Sequence, residues 1–274
     1  MPEETKSPIL RFEHVTVMFE DVTALSDLSF EAFEGESRVI MGAAGSGKTV
    51  LLKTALGLVK PDSGKVFAFG QDLTTLSERQ LFEIRSKMGM LFQESALFDS
   101  LTIEENVAYP LLNQRFIHCP REQVHPRVEE ALDFVELGGT LEKFPSELSG
   151  GMRRRAAIAR AVVTGPPLIL YDSPTAGLDP ITAHTIIALV IKERDLSHTT
   201  ALLVTHRYQD GNLIANFRYN SKQGRLEPAR DGGKPDKWTT FMVLREGQLI
   251  FEGDQNRLEA STDPYISKFV KHRV

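Results

Sequence analysis

Apolar and polar positions alternate along the first part of the chain and then change to a helical spacing. Leu28, Phe30 and Ala32 are apolar at every second position, and this alternation predicts antiparallel strands near the N-terminus. The run SRVIM (37–41) is typical of a buried strand, and a glycine-rich turn follows it. KTVLLKTALGL (48–58) then has its apolar residues at helical spacing. The pattern therefore predicts antiparallel strands followed by a strand–turn–helix unit.

Helices and short apolar strands alternate through much of the remaining chain. The sequence predicts a helix at 77–87 and a strand at 88–93. The runs LIL (168–170) and ALLVT (201–205) are short, apolar and bounded by turn or helix signals, as central parallel strands are. Such alternation indicates an α/β sheet. A helix-rich block at about 95–160 interrupts it and is predicted to be an α-helical subdomain.

Two local patterns predict helices inside this block. Thr102 and Glu105 have the spacing of a capping box. Apolar residues recur on one face of the segment 127–137, namely Val128, Ala131, Leu132 and Val135.

The chain is predicted to contain one domain, over residues 8–255, and a C-terminal tail over 256–274. Residues 218–237 are polar and rich in turn-forming residues, so we expect a solvent-exposed hairpin or loop insertion there.

Composition narrows the class of protein. Of 274 residues, 41% are hydrophobic and 25% are charged, which is typical of a globular protein with a sizeable core. The net charge of −5 gives no general attraction to nucleic acid, so no nucleic-acid partner is expected. A single cysteine, Cys119, excludes an internal disulfide. The chain has no signal-peptide pattern and no apolar run near the ~20 residues that span a bilayer, which predicts a cytoplasmic protein.

A glycine-rich motif lies between the predicted buried strand and the helix that follows it. GAAGSGKT (42–49) matches the phosphate-binding pattern G-x-x-x-x-G-K-[ST] in the strand–turn–helix context that the motif requires. Backbone N–H groups and the helix N-terminus would surround phosphate oxygens. Lys48 would reach the β- and γ-phosphates, and the Thr49 hydroxyl would ligate Mg²⁺. The predicted nucleotide-binding residues are Gly42, Ala43, Ala44, Gly45, Ser46, Gly47, Lys48, Thr49 and Val50.

Two further features suit the same chemistry. Asp172 ends an apolar strand, where a protein with such a phosphate loop is expected to carry the acid associated with Mg²⁺. LSGGM (148–152) opens a helix, so Ser149 can serve as its N-cap, while Gly150 and Gly151 permit close backbone approach. This helix N-terminus is a second candidate anion site.

In this ordered set of motifs, the chain resembles the ATPase subunits of ABC transporters. The resemblance covers roughly residues 10–215 and 240–260. It implies the P-loop NTPase fold of ABC ATPases, with a mixed central sheet, an antiparallel β-subdomain and an inserted α-helical subdomain. It also implies ATP and Mg²⁺ as cofactors. A second ATPase subunit, expected to be an identical chain, would pair head to tail, with each ATP between one phosphate loop and the opposite LSGGM segment.

The resemblance also implies roles for single residues. Phe19 corresponds to the aromatic residue that stacks on adenine, although a core aromatic in a strand is an alternative. Gln93 corresponds to the glutamine that contacts Mg²⁺ and the attacking water. Asp179 and His206 correspond to the D-loop aspartate and the switch histidine. Ser149, Gly150 and Gly151 match the signature that binds the opposite protomer's γ-phosphate. The predicted catalytic residues are Gln93, Asp172, Ser173 and His206, and the predicted metal ligands are Thr49, Gln93 and Asp172.

Within that family, four traits resemble the Mla/Mce-type lipid transport ATPases. They are the segment FQESALFDSLTIEENVAYPL (92–111), Met152 in LSGGM, Val50 after the phosphate loop, and the tail element DPYISKFV (263–270). The resemblance implies phospholipid transport through an integral membrane permease, with a Mce-type lipid-transfer protein acting through that permease. The chain would then be peripheral, on the cytoplasmic face of the inner membrane.

The tail has two readings. Ile266, Phe269 and Val270 lie at helical spacing and could form a strip that docks on a partner. The alternative is a C-terminal helix that frays.

Ser173 departs from the family pattern, because glutamate usually follows the Walker-B acid and polarises the attacking water. A serine hydroxyl is no base near neutral pH, and proton transfer by a placed side chain typically contributes about 10²–10⁴-fold. Phosphoryl transfer depends mostly on positioning and charge stabilisation, so slow turnover with intact ATP binding is expected. Two alternatives stay open: pairing with a related subunit that carries the glutamate, or another group, such as His206, acting instead.

Other functions compatible with the motifs are an ATPase subunit for a different cargo and a non-hydrolysing, ATP-dependent interaction module. A soluble ABC protein of DNA repair or translation is disfavoured, because the chain has one ATP cassette, no long coiled coil and no basic stripe.

Overall fold

A six-stranded sheet forms the centre of the protein, and a four-stranded antiparallel sheet shares a core with one of its faces. The computed structural model describes residues 7–229 and 238–271. The strands are β1 (Leu10–Phe19), β2 (Val22–Ala32), β3 (Ser37–Met41), β4 (Ser63–Ala68), β5 (Gln71–Asp72), β6 (Met88–Leu91), β7 (Leu168–Asp172), β8 (Thr200–Thr205), β9 (Phe217–Asn220), β10 (Arg225–Pro228), β11 (Thr239–Arg245) and β12 (Gln248–Gly253). The helices are α1 (Lys48–Ala55), α2 (Glu78–Arg85), α3 (Ile103–Asn113), α4 (Arg121–Phe134), α5 (Gly150–Val162), α6 (Pro180–Ser197), α7 (Tyr208–Asn216), α8 (Gln255–Glu259) and α9 (Pro264–Lys271).

The central sheet has the strand order β12–β11–β3–β8–β7–β6. Its neighbouring strands are parallel except for β11 and β12, so the sheet is mixed. The antiparallel sheet has the order β2–β1–β4–β5. Together with the helices between β6 and β7, these sheets confirm the predicted fold class.

Successive residues of the central strands face two different hydrophobic cores, because side chains alternate across a strand. Val39 and Met41 pack among helices α3 to α7, whereas Ile40 packs with α1 and the antiparallel sheet. Both faces of β3, β7 and β8 are therefore buried, which explains why their sequences are nearly continuous apolar runs.

The carboxyl ends of three central strands meet at one edge of the sheet. Met41, the last residue of β3, pairs with Thr205 at the end of β8, and Asp172 at the end of β7 pairs with Val204. The loops that leave these strands therefore start side by side. Ligands of open α/β sheets bind in such a crevice outside the carboxyl ends of the strands.

Helices α3, α4 and α5 pack together as the helix-rich block that the sequence predicted. Thr102 caps α3 with reciprocal hydrogen bonds to Glu105, so the capping box is confirmed. The predicted apolar stripe on α4 is also confirmed, because Val128, Ala131, Leu132 and Val135 are all buried.

The polar insertion begins with the two-stranded hairpin of β9 and β10. Its first strand packs on α6, where the Tyr219 N–H donates to Oδ2 of Asp195 at 2.7 Å and Arg194 donates to the Phe217 carbonyl at 2.9 Å. This strand is therefore half-buried rather than solvent-exposed. The remainder of the predicted insertion, 230–237, lies outside the described residues.

The C-terminal tail forms α8 and α9 and packs onto its own domain. Ile266 and Val270 of α9 are buried in the core that also contains Phe241 and Tyr208. Both earlier readings of the tail are therefore wrong for these two side chains: the helix is packed rather than frayed, and the strip covers its own core rather than a partner. Over residues 7–229 and 238–271, the structure contains no helix with the length and hydrophobicity needed to cross a membrane.

Candidate active site

The phosphate loop connects β3 to α1 and rests against β2. Gly47, the N-cap of α1, has a φ of 97°, and a Cβ at this position would lie 2.3 Å from the Ala24 carbonyl oxygen. Only glycine fits such a left-handed, closely packed position. Because Gly47 offers no side-chain cap, the first-turn N–H groups of α1 are available to an anion.

The Lys48 ammonium group lies over the loop. Its Nζ donates hydrogen bonds to the carbonyl oxygens of Gly42 at 2.9 Å and of Ala43 at 2.7 Å. Burial lowers the pKa of Lys48 below its ordinary value, and the charge of Asp172 opposes this shift. A phosphate oxygen would be a stronger acceptor for this cation than a neutral carbonyl group.

The donor set for a divalent cation combines a hydroxyl and a carboxylate. The Thr49 hydroxyl lies 2.9 Å from Oδ2 of Asp172, and Asp172 is buried at the end of β7. The part of the chain that the structure describes contains no group of three or more His, Cys, Asp or Glu side chains placed to hold a metal. The hydroxyl and carboxylate oxygens of this pair suit Mg²⁺, because Mg²⁺ prefers oxygen ligands and typically uses one or two carboxylates together with water and substrate phosphates. The residues present therefore fit Mg²⁺.

Three of the predicted catalytic residues line one cleft together with the phosphate loop. The cleft has a volume of about 390 Å³ and is bordered by Gln93, Ser173 and His206 as well as Lys48 and Thr49. Gln93, Ser173 and His206 come from the segments that follow β6, β7 and β8, and Lys48 and Thr49 begin α1 after the glycine-rich loop. The shared strand edge thus gathers residues that are up to 158 positions apart, from Lys48 to His206.

Ser173 has a fixed position in this cleft. Its backbone is left-handed, with a φ of 49°, and its N–H donates to the Val204 carbonyl at 2.9 Å. Its hydroxyl donates to Oδ1 of Asp172 at 3.2 Å.

Phe19 lies at the rim of the site. It is the last residue of β1 and pairs across the hairpin with Val22, which lines the cleft. The Phe19 side chain is 49% exposed, so the alternative of a core aromatic is wrong. An exposed aromatic ring at this place is available to stack on a flat ligand.

The structure does not bring the LSGGM segment into this cleft. Ser149 caps α5 by accepting a hydrogen bond from the Met152 N–H at 3.3 Å, and Ser149 and Gly150 are exposed. Gly151 packs beside Thr182 of α6, where a Cβ would lie 2.6 Å from the threonine methyl group.

Asp179, the predicted D-loop residue, caps α6. Its Oδ1 accepts hydrogen bonds from the N–H groups of Ile181 and Thr182, both at 3.0 Å. Hydrogen bonds from Thr182 lower the pKa of Asp179 below its ordinary value. Asp179 thus holds the start of α6 next to the exposed signature segment.

The sequence analysis missed Arg154, which joins three parts of the site. Its guanidinium, on α5, donates to the backbone carbonyls of Phe92, Gln93 and Ala176. Burial lowers the pKa of this guanidinium, and the charges of nearby acids oppose the shift. The run RRR (153–155) after LSGGM indicated that an arginine could lie near the site, but the sequence does not show which of the three points inward.

Asp210 was also missed, and it links the segments that carry Ser173 and His206. Its Oδ2 accepts hydrogen bonds from the hydroxyls of Thr175 at 2.6 Å and Thr205 at 2.7 Å. Burial raises the pKa of Asp210 above its ordinary value, while the two threonine hydrogen bonds lower it.

The chain is similar in sequence and fold to several known proteins. A family model described as "ABC transporter" matches residues 25–176. The chain is 33% identical, over 96% of its length, to the intermembrane phospholipid transport system ATP-binding protein MlaF of Haemophilus influenzae, of which it covers 90%. It is 40% identical, over 93% of its length, to the probable ribonucleotide transport ATP-binding protein mkl of Mycobacterium tuberculosis, of which it covers 63%. A solved dimeric ATP-binding cassette, in a post-hydrolysis state bound to ADP and Pi, superposes with a TM-score of 0.73 at 30% identity, covering 89% of this chain and 98% of that one.

Proposed function

The chain belongs to the ABC transporter family as an ATP-binding subunit, and from this premise we propose that two copies drive a lipid through a membrane permease. It is an ABC-type ATPase, since the family and a relative solved with ADP and Pi both point to ATP hydrolysis. The observation that carries the ATP-binding part of this proposal is the gathering of Lys48, Gln93, Ser173 and His206 around one cleft.

Each part of the cleft has a proposed task toward ATP. The loop N–H groups and Lys48 bind the phosphates and stabilise their charge. The exposed ring of Phe19 stacks on the adenine. Gln93 orients the attacking water, and His206 contacts the γ-phosphate from its place in the lining of the cleft. Transfer depends mainly on this positioning and on charge stabilisation.

Mg²⁺ is the proposed cofactor. The Thr49 hydroxyl and the Asp172 carboxylate would hold it, with Gln93 as a further ligand. When bound, Mg²⁺ supplies charge neutralisation for the phosphate oxygens.

The proposed reaction is slow, because no carboxylate follows Asp172. Ser173 can accept a hydrogen bond from water, but it cannot take up a proton at neutral pH. Positioning and charge stabilisation remain, so we expect ATP to bind and to be hydrolysed at a reduced rate.

The dimer is proposed from the placement of the signature segment. Ser149 and Gly150 are exposed and stay outside the cleft of their own chain. A helix N-terminus without an anion partner in its own chain can receive the γ-phosphate from a second copy. Such an interface closes head to tail with two identical sites.

Mixing two defective variants tests this arrangement directly. Lys48→Ala removes the loop cation, and Ser149→Arg blocks the signature. Each variant alone should lose ATP-driven dimerisation, measured by light scattering after gel filtration, and phosphate release. A mixture should recover part of both, because one of the two sites then has an intact loop and an intact signature. If the mixture recovers nothing while unmodified chains of the same concentration dimerise, the head-to-tail proposal is wrong.

A permease is the proposed membrane partner, and a groove beside Gln93 is its proposed docking place. The groove has a volume of about 470 Å³ and lies between the segment after β6 and helix α3. Phe98 and Tyr109 line it with rings 4.7 Å apart, and they are 42% and 40% exposed. Exposed aromatic residues around a groove are typical of a protein-docking site. Its nearness to Gln93 would connect permease movement to the ATP site.

Phospholipid or a related lipid is the proposed cargo, carried with a Mce-type lipid-transfer protein that acts through the permease. The support is the MlaF relative together with the segment 92–111, Met152 and Val50. The resemblance to mkl, which is named for ribonucleotides, makes a different cargo the alternative. The chain would then work at the cytoplasmic face of the inner membrane.

Purification of the native complex from membranes distinguishes the cargoes. The tagged chain should recover a permease and a Mce-type protein, and mass spectrometry should find phospholipid bound above the level in a mock purification. A complex with an amino-acid- or nucleotide-binding partner and no enriched lipid would overturn the lipid assignment, while leaving the ATPase assignment intact.

A further inference from the structure

The C-terminal helix α9 reaches the phosphate loop through one hydroxyl group. The Tyr265 hydroxyl accepts a hydrogen bond from the Ala43 N–H at 2.9 Å and donates one to the Leu244 carbonyl at 3.0 Å. Ala43 belongs to the loop, and Leu244 lies in β11, the strand next to β3. A residue from the end of the chain thus ties the start of the loop to the central sheet.

The position of this hydroxyl depends on the docking of α9. Ile266 and Val270 anchor the helix, with exposures of only 3% and 8%. Asp263 caps its first turn by accepting from the Tyr265 N–H at 2.7 Å, and the Phe269 ring meets the Tyr265 ring edge-on at 5.2 Å. The contacts with Asp263 and Phe269 therefore fix the orientation of Tyr265. A residue that positions a loop needs such support.

Backbone contacts secure the second half of the loop. The Gly247 N–H donates to the Ser46 carbonyl at 3.3 Å, and Gly47 rests on the Ala24 carbonyl. At the first half, Ala43 to Gly45 are exposed, and the Ala43 N–H has the Tyr265 hydroxyl as its acceptor. Lys48 also donates to the Gly42 and Ala43 carbonyls, so loss of the Tyr265 hydroxyl would weaken the tie between the first half of the loop and the central sheet rather than release the loop.

We propose that Tyr265 is a positioning residue for the phosphate loop, so that docking of α9 and binding of ATP stabilise each other. A loop that is already ordered loses less conformational freedom when it wraps a phosphate, so its affinity is higher. The coupling is reciprocal: if the docked helix favours ATP, then ATP must favour the docked helix by the same factor. The inference rests on the proposed use of this loop as the ATP site.

Tyr265→Phe in the full-length chain removes the hydroxyl and keeps the ring that packs on Phe269. The dissociation constant of a fluorescent ATP analogue should rise about three- to tenfold, as expected for one or two lost hydrogen bonds. Tyr219→Phe, in the β9–β10 hairpin, is the matched control and should bind as the unmodified chain does. An unchanged affinity of Tyr265→Phe would overturn the inference.

Hydrogen exchange gives a second readout that a purely structural role would not change. In the unmodified chain, a non-hydrolysable ATP analogue should slow exchange of the α9 amides, and this protection should shrink in Tyr265→Phe. Equal protection in both proteins, or none in either, contradicts the coupling. Lys48→Ala distinguishes failure of this inference from failure of the proposed ATP site. If it loses binding while Tyr265→Phe does not, only the inference fails; if it binds normally, the ATP site and the inference both fail.

Discussion

The hydroxyl of Ser173 donates a hydrogen bond to Oδ1 of Asp172 at 3.2 Å. The proton of this hydroxyl therefore points to the Asp172 carboxylate, which also accepts a hydrogen bond from the Thr49 hydroxyl. The serine oxygen can still accept a hydrogen bond from water, but a neutral hydroxyl cannot remove a proton. On the proposed function, Ser173 would therefore orient the attacking water by accepting its hydrogen bond, without acting as a general base.

Ser173→Glu should raise the rate of phosphate release at least several-fold. The new carboxylate would stand where water approaches, and a placed base is typically worth about 10²–10⁴-fold. Repulsion from Asp172 raises the pKa of an added acid toward neutral pH, which makes its carboxylate a stronger base. Steady-state phosphate release at saturating ATP and Mg²⁺ measures the effect.

Ser173→Ala is the matched control, because it removes the hydroxyl without adding a base. Its turnover should stay within about threefold of the unmodified chain, since one hydrogen bond to water is lost. If Ser173→Glu gives no rise, the serine does not limit hydrolysis, and His206 or a partner subunit must supply the missing group.

Arg154→Met should lower both stability and turnover. Three backbone carbonyls, of Phe92, Gln93 and Ala176, would lose their donor in a partly buried place, at a cost of about 1–3 kcal/mol. Release of the Gln93 segment should reduce kcat more than it raises the KM for ATP. Denaturant unfolding and steady-state kinetics measure the two effects.

Arg154→Lys and Arg121→Met are the comparisons. Lysine keeps the charge but lacks the planar guanidinium with its several N–H donors, so Arg154→Lys should restore only part of the stability and turnover that Arg154→Met loses. Arg121 is exposed at the start of α4, and its removal should leave stability within about 0.5 kcal/mol. A kcat for Arg154→Met equal to that of the unmodified chain would show that Arg154 does not position Gln93.

The phosphate loop could be predicted from sequence because its residues are contiguous. The loop needs glycine at tight positions such as Gly47, and a helix N-terminus follows it directly, so pattern and structure are tied within eight positions. Prediction of the whole cleft needed the family resemblance, because the strand order of the sheet is what brings Gln93 and His206 together.

The tail and the missed polar residues depend on long-range packing. Apolar spacing showed that α9 would have one apolar face, but it could not show that Ile266 would cover the chain's own core. Asp210 follows a predicted strand by only a few positions and looks like an ordinary surface acid. Its role depends on Thr175, which is 35 positions away and comes close only in the fold.

Asp210→Asn should change how stability depends on pH. Burial raises the pKa of Asp210 in the folded protein. The stabilising contribution of protonated Asp210 is therefore complete below its pKa in the unfolded chain, about 3.9, and is lost as pH rises through its pKa in the folded protein. Asparagine cannot titrate, yet its amide oxygen can still accept from Thr175 and Thr205. The free energy of unfolding of the variant should therefore increase relative to that of the unmodified chain as pH rises from 4. Denaturant unfolding at pH 4, 5.5 and 7 measures this, and parallel curves would contradict it.

Phe98→Asp should remove the permease from the complex. Phe98 is 42% exposed and contacts Tyr109 in the groove beside Gln93, so a partner that covers the groove would lose an aromatic contact and bury the new carboxylate, with the Arg160 guanidinium 5.9 Å from the Phe98 ring as a counter-charge. Loss of the aromatic contact and desolvation of the carboxylate predict at least a tenfold loss of permease recovered with the tagged chain from membranes. Leu196→Asp is the matched control: Leu196 is a similarly exposed apolar residue, 45% exposed, on α6 outside the groove, and its change should leave recovery unaltered. Equal recovery with Phe98→Asp and Leu196→Asp would mean that the permease docks elsewhere on the chain.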